Sequence, residues 1–258
     1  MTVLKTQLYD NGIFHLILNR PEKYNALNKE VFDALSEAFT QAKENAAVKA
    51  VLLSGEGRAF CAGADIHRLS EVNAQEGYVF AKEGQAIFQQ LETLGKPSLA
   101  AIHGLCLGGG CELSMSASLR IASKSAQFGQ PEVKLGILPG YGGVQRLARL
   151  VGKGRALDLC LTARFILVEE ALSWGLITEI TEEATLLARA TVILEGIIAM
   201  APLALRSVLE VMNHGYDMNL SDALHLEAVH FGLTCATQDK KEGINAFLEK
   251  RPANFRGE

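Results

Sequence analysis

No stretch of this chain stays apolar for anything near the roughly 20 residues that a bilayer-spanning helix needs. Met1-Thr2-Val3-Leu4-Lys5 also lacks the charged start, apolar middle and small-residue cleavage site of an export signal. A soluble, cytoplasmic protein with no membrane partner is expected. Cysteine is sparse: Cys61, Cys106, Cys111, Cys160 and Cys235, with no CxxC pair among them. An odd set scattered among apolar residues argues for reduced, packed thiols and against a disulfide framework or a metal site. Basic excess is missing too. The formal net charge of -4 removes the broad cationic face that nucleic acid requires, and the cluster Arg146, Arg149, Lys153 and Arg155 reads as a solvated helix face. Neither a G-x-G-x-x-G nor a glycine loop ending in Gly-Lys-Ser/Thr is present, and the G-x-S-x-G elbow of serine hydrolases is absent. His15, His67, His103, His214, His225 and His230 share no spacing, so core or surface roles fit them better than catalysis.

What is present is an ordinary globular composition, 48% hydrophobic and 21% charged over 258 residues, enough for one large domain or a domain with an appendage. Val3 to Tyr9 and Ile13 to Asn19 flank Asp10-Asn11-Gly12, a hairpin signal. Asn28 is placed to cap a helix reaching about Glu44, with Val31, Leu35, Ala38, Phe39 and Ala42 on one face. Buried strands are expected at Val48 to Ser54, Ser98 to His103 and Leu119 to Ala122, with helices at Gln75 to Leu94 and Gly110 to Ser118 between them. This β-α-β-α-β order implies a mostly parallel sheet. Beyond Gly143 the pattern is helical (Val144 to Leu150, Ala156 to Leu161, Glu169 to Trp174, Glu183 to Met200, Pro202 to His214, Ser221 to Thr237, Lys240 to Lys250), broken by a strand at Leu176 to Ile180. An α/β core followed by a C-terminal helical region is the expected architecture.

The chemistry lies in glycine-bearing turns. Gly108-Gly109-Gly110-Cys111-Glu112 passes from a strand into a helix, and bare N–H groups at a helix start favour negative charge. Phe60-Cys61-Ala62-Gly63-Ala64-Asp65 forms a second such turn. N–H donors from two loops converging on one carbonyl would stabilise an enolate. Glu112 is favoured in a first helical turn whatever its chemistry, and Glu132 could equally be a surface residue after Pro131. Together, with Pro139-Gly140-Tyr141-Gly142-Gly143 following, they suggest proton movement beside a stabilised oxyanion.

Those motifs, in that order, resemble the crotonase superfamily. The similarity runs from Asn19-Arg20-Pro21 and Asn25-Ala26-Leu27, through Phe60 to Ile66, Gly108 to Leu113, Phe128 to Glu132 and Gly142 to Leu147, to Glu242-Gly243 and Phe247 to Arg251. Within it the chain is most similar to enoyl-CoA hydratases. The resemblance implies a spiral of ββα repeats over residues 1–200 with a C-terminal helical trimerisation region over 201–258, usually assembled as a homo-hexamer, a dimer of trimers. It implies an acyl-CoA thioester substrate, with coenzyme A as part of that substrate and no further cofactor or metal. The thioester oxygen would sit in an oxyanion hole of the Ala64 and Gly109 N–H groups. Ala26, Ala62, Asp65 and Ile66 would lie along the pantetheine and adenine, Arg58 near the phosphates, and Phe247 and Lys250 would reach CoA from a C-terminal helix of this chain or a neighbour.

The implied reaction is hydration of a 2-trans-enoyl-CoA. Glu112 and Glu132 would hold the water with help from the Gly140 N–H; Glu112 takes its proton and Glu132 delivers one to C2, the two sharing protons as a pair. Δ3–Δ2 isomerisation or another acyl-CoA dehydration is the alternative within the family, and RNA binding by a crotonase homologue a remote one. Ala117-Ser118, Val144, Ala163 and His103 depart from the family pattern; the first suggests a missing polar contact beyond the helix. Pocket walls are expected from the Ile66 to Tyr78 segment.

Overall fold

The computed structural model describes residues 2–66, 70 and 72–258. His67 and part of the Ile66 to Tyr78 segment, positions 67–69 and 71, lie outside the described residues.

The hairpin forms as expected: β1 (Leu4–Leu8) pairs antiparallel with β2 (Ile13–Leu18). From β2 onward one sheet grows by parallel addition of β3 (Ala50–Gly55), then β5 (Ser98–Ile102), β7 (Leu119–Ser123) and β10 (Glu179–Thr181), giving the order β1-β2-β3-β5-β7-β10. Its strands read as continuous apolar runs because helices cover both faces. A second sheet, which no sequence pattern announced, is built from β4 (Ala59–Cys61), β6 (Leu105–Leu107), β8 (Gln127–Gly129) and β9 (Phe165–Leu167). Each has three residues, too few to show any periodicity.

The two sheets make the repeat explicit. β3-β4, β5-β6 and β7-β8 each send their first strand to the long sheet and their second to the short one, and the strands sit as neighbours in both. Successive ββα units therefore step along a common axis, the expected spiral. The helices between them are α1 (Lys29–Glu44), α2 (Ala74–Glu92), α3 (Gly109–Ser116) and α4 (Gly143–Val151), followed by α5 (Lys153–Thr162) and α6 (Val168–Ser173). Asn28 caps α1 by accepting from the Val31 N–H at 3.0 Å. Asn73 and Glu76 close a reciprocal capping box on α2.

Differences from the sequence reading are local. The last strand of the long sheet starts later than the expected Leu176 to Ile180, at Glu179; Leu176 and Ile177 are buried core residues in the approach to it. A short 3-10 turn, Glu183–Thr185, precedes α7 (Leu186–Ile198). Ser118 is not a lost polar contact: its N–H donates to Ser98 Oγ at 2.9 Å and its hydroxyl accepts from the Ser98 N–H at 3.2 Å. Ala163, where the family pattern favours glycine, caps α5 at φ 50, the left-handed conformation that explains that preference.

The C-terminal helices are α8 (Pro202–Gly215), α9 (Leu220–Cys235) and α10 (Gln238–Glu249). Neither α8 nor α9 has a buried residue, and Met212, Tyr216, Leu220, Phe231 and Leu233 are all exposed. Among the described residues no single helix is long and apolar enough to cross a membrane.

Candidate active site

Helix α3 leaves the short sheet at Gly108, whose N–H donates to Gly129 O at 2.9 Å. All of α3 is buried. Three glycines are needed here for a packing reason: a Cβ on Gly110 would fall 2.1 Å from Cys61 O, one on Gly108 2.6 Å from Glu132 Oε1, and one on Gly109 3.2 Å from both Leu27 and the Tyr141 ring. The Phe60 to Asp65 turn comes to the same place. A Cβ on Gly63, at φ +113, would lie 3.6 Å from the Gly109 nitrogen. Leu27 bridges this turn in parallel, its N–H donating to Gly63 O at 2.8 Å and its carbonyl accepting from the Asp65 N–H at 2.9 Å. That alternation turns the Ala64 N–H away from Leu27. Neither the Ala64 nor the Gly109 N–H has an acceptor among the described residues. Two loops therefore present open N–H groups in one place.

Glu112 lies one turn into α3 and is 1% exposed. Its Oε1 accepts from the Tyr141 N–H at 2.8 Å and the Gly143 N–H at 2.6 Å. Burial, then the neighbouring Glu132 charge, push its carboxyl up to about 8; the two N–H donors and Arg146 act in the opposite direction. Glu132 opens the 3-10 turn Glu132–Leu135, and burial pushes its carboxyl up to about 7. Fully buried Gln130 links the two: with its nitrogen turned to Glu132 it donates to both carboxylate oxygens at 3.2 Å, and it borders Gly143 as well. With both carboxyls raised into the neutral range and the Glu132 charge acting on Glu112, the two do not ionise independently near neutrality.

Gly140 sits in the turn before α4, where its carbonyl accepts from Gln85 Nε2 at 2.9 Å. The N–H groups that reach Glu112 are those of Tyr141 and Gly143. The Tyr141 ring is held by Phe32, Phe80 and Phe88, at centroid distances of 5.2, 5.3 and 5.7 Å. A Cβ on Gly84 of α2 would fall 2.1 Å from this ring.

Toward the surface, Ala26 and Ala62 are half-buried beside the Gly63-Ala64 turn, and Ile66 is 61% exposed. Asp65 pairs with Arg20 at 3.3 Å, and the same guanidinium donates to Ala26 O at 2.5 Å, so its carboxylate braces the turn. Exposed Arg58 stacks over Tyr24 and donates to its hydroxyl at 3.1 Å. Phe247, 83% exposed, lies on α10, and Lys250 caps that helix at φ 55. The four thiols Cys61, Cys106, Cys111 and Cys160 are buried, as packed cysteines should be, and Cys61 is pushed up to about 12 by burial. Among the described residues no group of three metal-ligating side chains comes together.

Sequence reasoning missed Gln130, the Tyr141 and Gly143 donors and Arg146. Arg146 is no solvated face residue: its side chain is 15% exposed and it forms a bidentate pair with Glu92.

Comparison with known proteins agrees with this geometry. The family model described as enoyl-CoA hydratase/isomerase matches residues 9–258. A crotonyl-CoA hydratase of Syntrophomonas wolfei is 44% identical over 241 residues, 93% of each chain. A short-chain-enoyl-CoA hydratase of Clostridium acetobutylicum is 43% identical over 235 residues, 91% of this chain and 90% of that one. Among solved structures, an enoyl-CoA hydratase of Bacillus anthracis superposes with a TM-score of 0.95 at 35% identity, covering 99% of this chain and all (100%) of that one.

Proposed function

The chain belongs to the enoyl-CoA hydratase/isomerase family, and from that premise we propose that it adds water across the 2,3 double bond of a short-chain 2-trans-enoyl-CoA to give the 3-hydroxyacyl-CoA. The single observation that carries the reading is the pair Glu112 and Glu132, both shifted upward by burial, beside the open N–H groups of Ala64 and Gly109. The short acyl chain is supported by the names of the crotonyl-CoA and short-chain hydratases that this chain resembles.

The thioester oxygen accepts from the Ala64 and Gly109 N–H groups, which draws electrons from C3 and stabilises the enolate as it forms. Water adds to C3. The ionised carboxyl of the pair takes the water's proton, the protonated one delivers a proton to C2, and the enolate collapses back to the thioester. In the simplest assignment Glu112 is the base and Glu132 the acid, so the proton that Glu112 holds more tightly at rest passes to Glu132 before water attacks; the Gly140 N–H helps to hold the water, and one proton transfer within the pair resets the site. Double-bond isomerisation needs only one such group, so the presence of both favours water chemistry. Ala26, Ala62, Asp65 and Ile66 line the path of CoA with Arg58 near its phosphates, and the reaction needs no group beyond the substrate's own coenzyme A. Exposed Phe247 and Lys250 fit contacts to CoA bound by a neighbouring subunit, and the unburied apolar faces of α8 and α9 fit a trimer, two of which would form a hexamer.

The deciding measurement is loss of enoyl absorbance with crotonyl-CoA and purified protein. No turnover of crotonyl-CoA or medium-chain 2-enoyl-CoAs, with turnover of a 3-enoyl-CoA, would move the assignment to isomerisation.

A further inference from the structure

Glu112 is held by the turn that precedes α4. Residues 139–143 lie between the 3-10 turn and α4, and their Tyr141 and Gly143 N–H groups donate to the Glu112 carboxylate. Two side chains fasten the turn from behind: Gln85 Nε2 donates to Gly140 O at 2.9 Å, and Arg146 holds the next residue. Arg146, in the first turn of α4, donates from Nη1 to Tyr141 O at 2.9 Å, while its Nε and Nη2 donate to Glu92 Oε1 and Oε2 at 3.2 and 2.8 Å. Glu92 ends α2, the helix whose Gly84 receives the Tyr141 ring. Tyr141 is thus gripped twice from α2, by its ring directly and by its carbonyl through Arg146. Space confirms the fit: Gly142 stands at φ +105, and a Cβ there would fall 2.3 Å from Arg146 Nη1.

We infer that Arg146 is a positioning residue of this site: anchored on Glu92, it fixes the 139–143 turn so that two N–H groups meet one oxygen of Glu112, and among the described residues it supplies the cation that acts on Glu112. This deepens the hydratase reading and rests on it for the meaning of turnover. A guanidinium is suited to both tasks, since its planar fork holds a carboxylate with two donors and leaves a third for the carbonyl. Among the described residues, the charged and titratable groups around Glu112 are Glu132 from the 3-10 turn, Arg146 from α4, Cys160 from α5 and Cys111 on α3 itself. Arg146 is the cation in that set, so its removal leaves Glu112 harder to ionise.

The test uses Arg146→Gln, Arg146→Lys and Glu92→Gln in the full-length protein with crotonyl-CoA. For Arg146→Gln, kcat is expected to fall roughly ten- to hundredfold with KM within about threefold, and the pH at which turnover is half-maximal to move upward. Arg146→Lys should restore the pH midpoint, because the charge returns, but only part of kcat, because a single ammonium cannot serve Tyr141 O and both Glu92 oxygens. Glu92→Gln keeps the cation and loosens the anchor, so kcat should fall without an upward shift. Carbon-13 titration of the Glu112 carboxyl reads the electrostatic half without turnover: an upward shift in Arg146→Gln supports the inference even if crotonyl-CoA proves not to be a substrate. A folded Arg146→Gln whose Glu112 titration and pH profile match wild type would overturn it, as would a loss of kcat that Arg146→Lys reproduces in full with no change in either profile.

Discussion

Replacing Glu112 with glutamine should stop turnover and, at alkaline pH, make the protein more stable. The carboxyl is pushed up to about 8 from an ordinary 4.5, so the native state holds this proton more tightly than the unfolded chain does. The stability that goes with it is complete below about 4.5 and is lost as pH rises through about 8. At about 1.4 kcal/mol per pH unit, the gap amounts to about 5 kcal/mol once complete, of which about 4 kcal/mol falls between about pH 5 and about pH 9. Glutamine cannot ionise, yet it keeps a carbonyl oxygen for the Tyr141 and Gly143 N–H groups. Thermal unfolding at the two pH values tests this. The variant's melting temperature relative to wild type should rise by about 10 °C from the acid to the alkaline condition, at ~2–4 °C per kcal/mol for a chain of this size. In the same preparations kcat with crotonyl-CoA should fall by about 10² to 10⁴, the usual worth of a general acid or base. A melting-temperature difference that does not change with pH would show that Glu112 ionises like a solvated carboxyl, and the proton-sharing pair would have to be abandoned.

Glu132→Gln should likewise lower kcat by orders of magnitude while CoA binding, measured by calorimetry, changes little; near-normal turnover would remove Glu132 from the chemistry. Gly84→Ala should cost about 1–3 kcal/mol and lower kcat at the same time, because its methyl group meets the Tyr141 ring that holds the Glu112 donors. A variant with normal melting and normal turnover would show that the ring does not need its seat. Phe231→Asp together with Met212→Asp, on the exposed faces of α8 and α9, should reduce the mass seen by sedimentation to that of a smaller assembly; an unchanged mass would place the subunit contacts elsewhere.

Strands β2, β3, β5 and β7 of the long sheet were legible in the sequence because each is five or six residues long, buried and bounded by turn residues, whereas the bounds of three-residue β10 were not; the helices were legible because Asn28 marks the start of α1 and Gly95-Lys96-Pro97 follows the end of α2. The short sheet was not. Three-residue strands such as Cys61 and its neighbours carry no period, and their pairing is set by the glycine packing of Gly110 on Cys61 O, a contact between residues 49 positions apart. Glu112 and Glu132 were legible as a pair only through the order of several motifs, since each alone fits a helix-dipole or surface role. Gln130 and Arg146 were not legible as parts of the site. A buried glutamine has no sequence signature, and the partner that turns Arg146 from a face charge into a clamp is 54 residues earlier.

The same packing explains why the carboxyls are shifted at all. A glutamate in the first turn of a helix would ordinarily ionise more readily, aided by the dipole and by two N–H donors. Here those aids are outweighed, because α3 is buried along its whole length and Glu132 stands nearby. The fully buried helix is in turn a consequence of Gly108-Gly109-Gly110, whose missing side chains let Glu132, Leu27, Tyr141 and the Cys61 backbone close around its start. Each of these glycines thus does more than bare an N–H group: removing three side chains brings the second carboxylate into range of the first and excludes the water that would otherwise relax both. A methyl group at Gly108, 2.6 Å from Glu132 Oε1, should therefore push the two carboxyls apart. Gly108→Ala, whose φ of 48 and ψ of -124 lie outside the left-handed helical well and add strain of about 1–3 kcal/mol, should lower the apparent pKa of Glu112 as its neighbour retreats, and carbon-13 titration of that carboxyl would read the change; an unshifted titration would show that Glu132 contributes nothing to it.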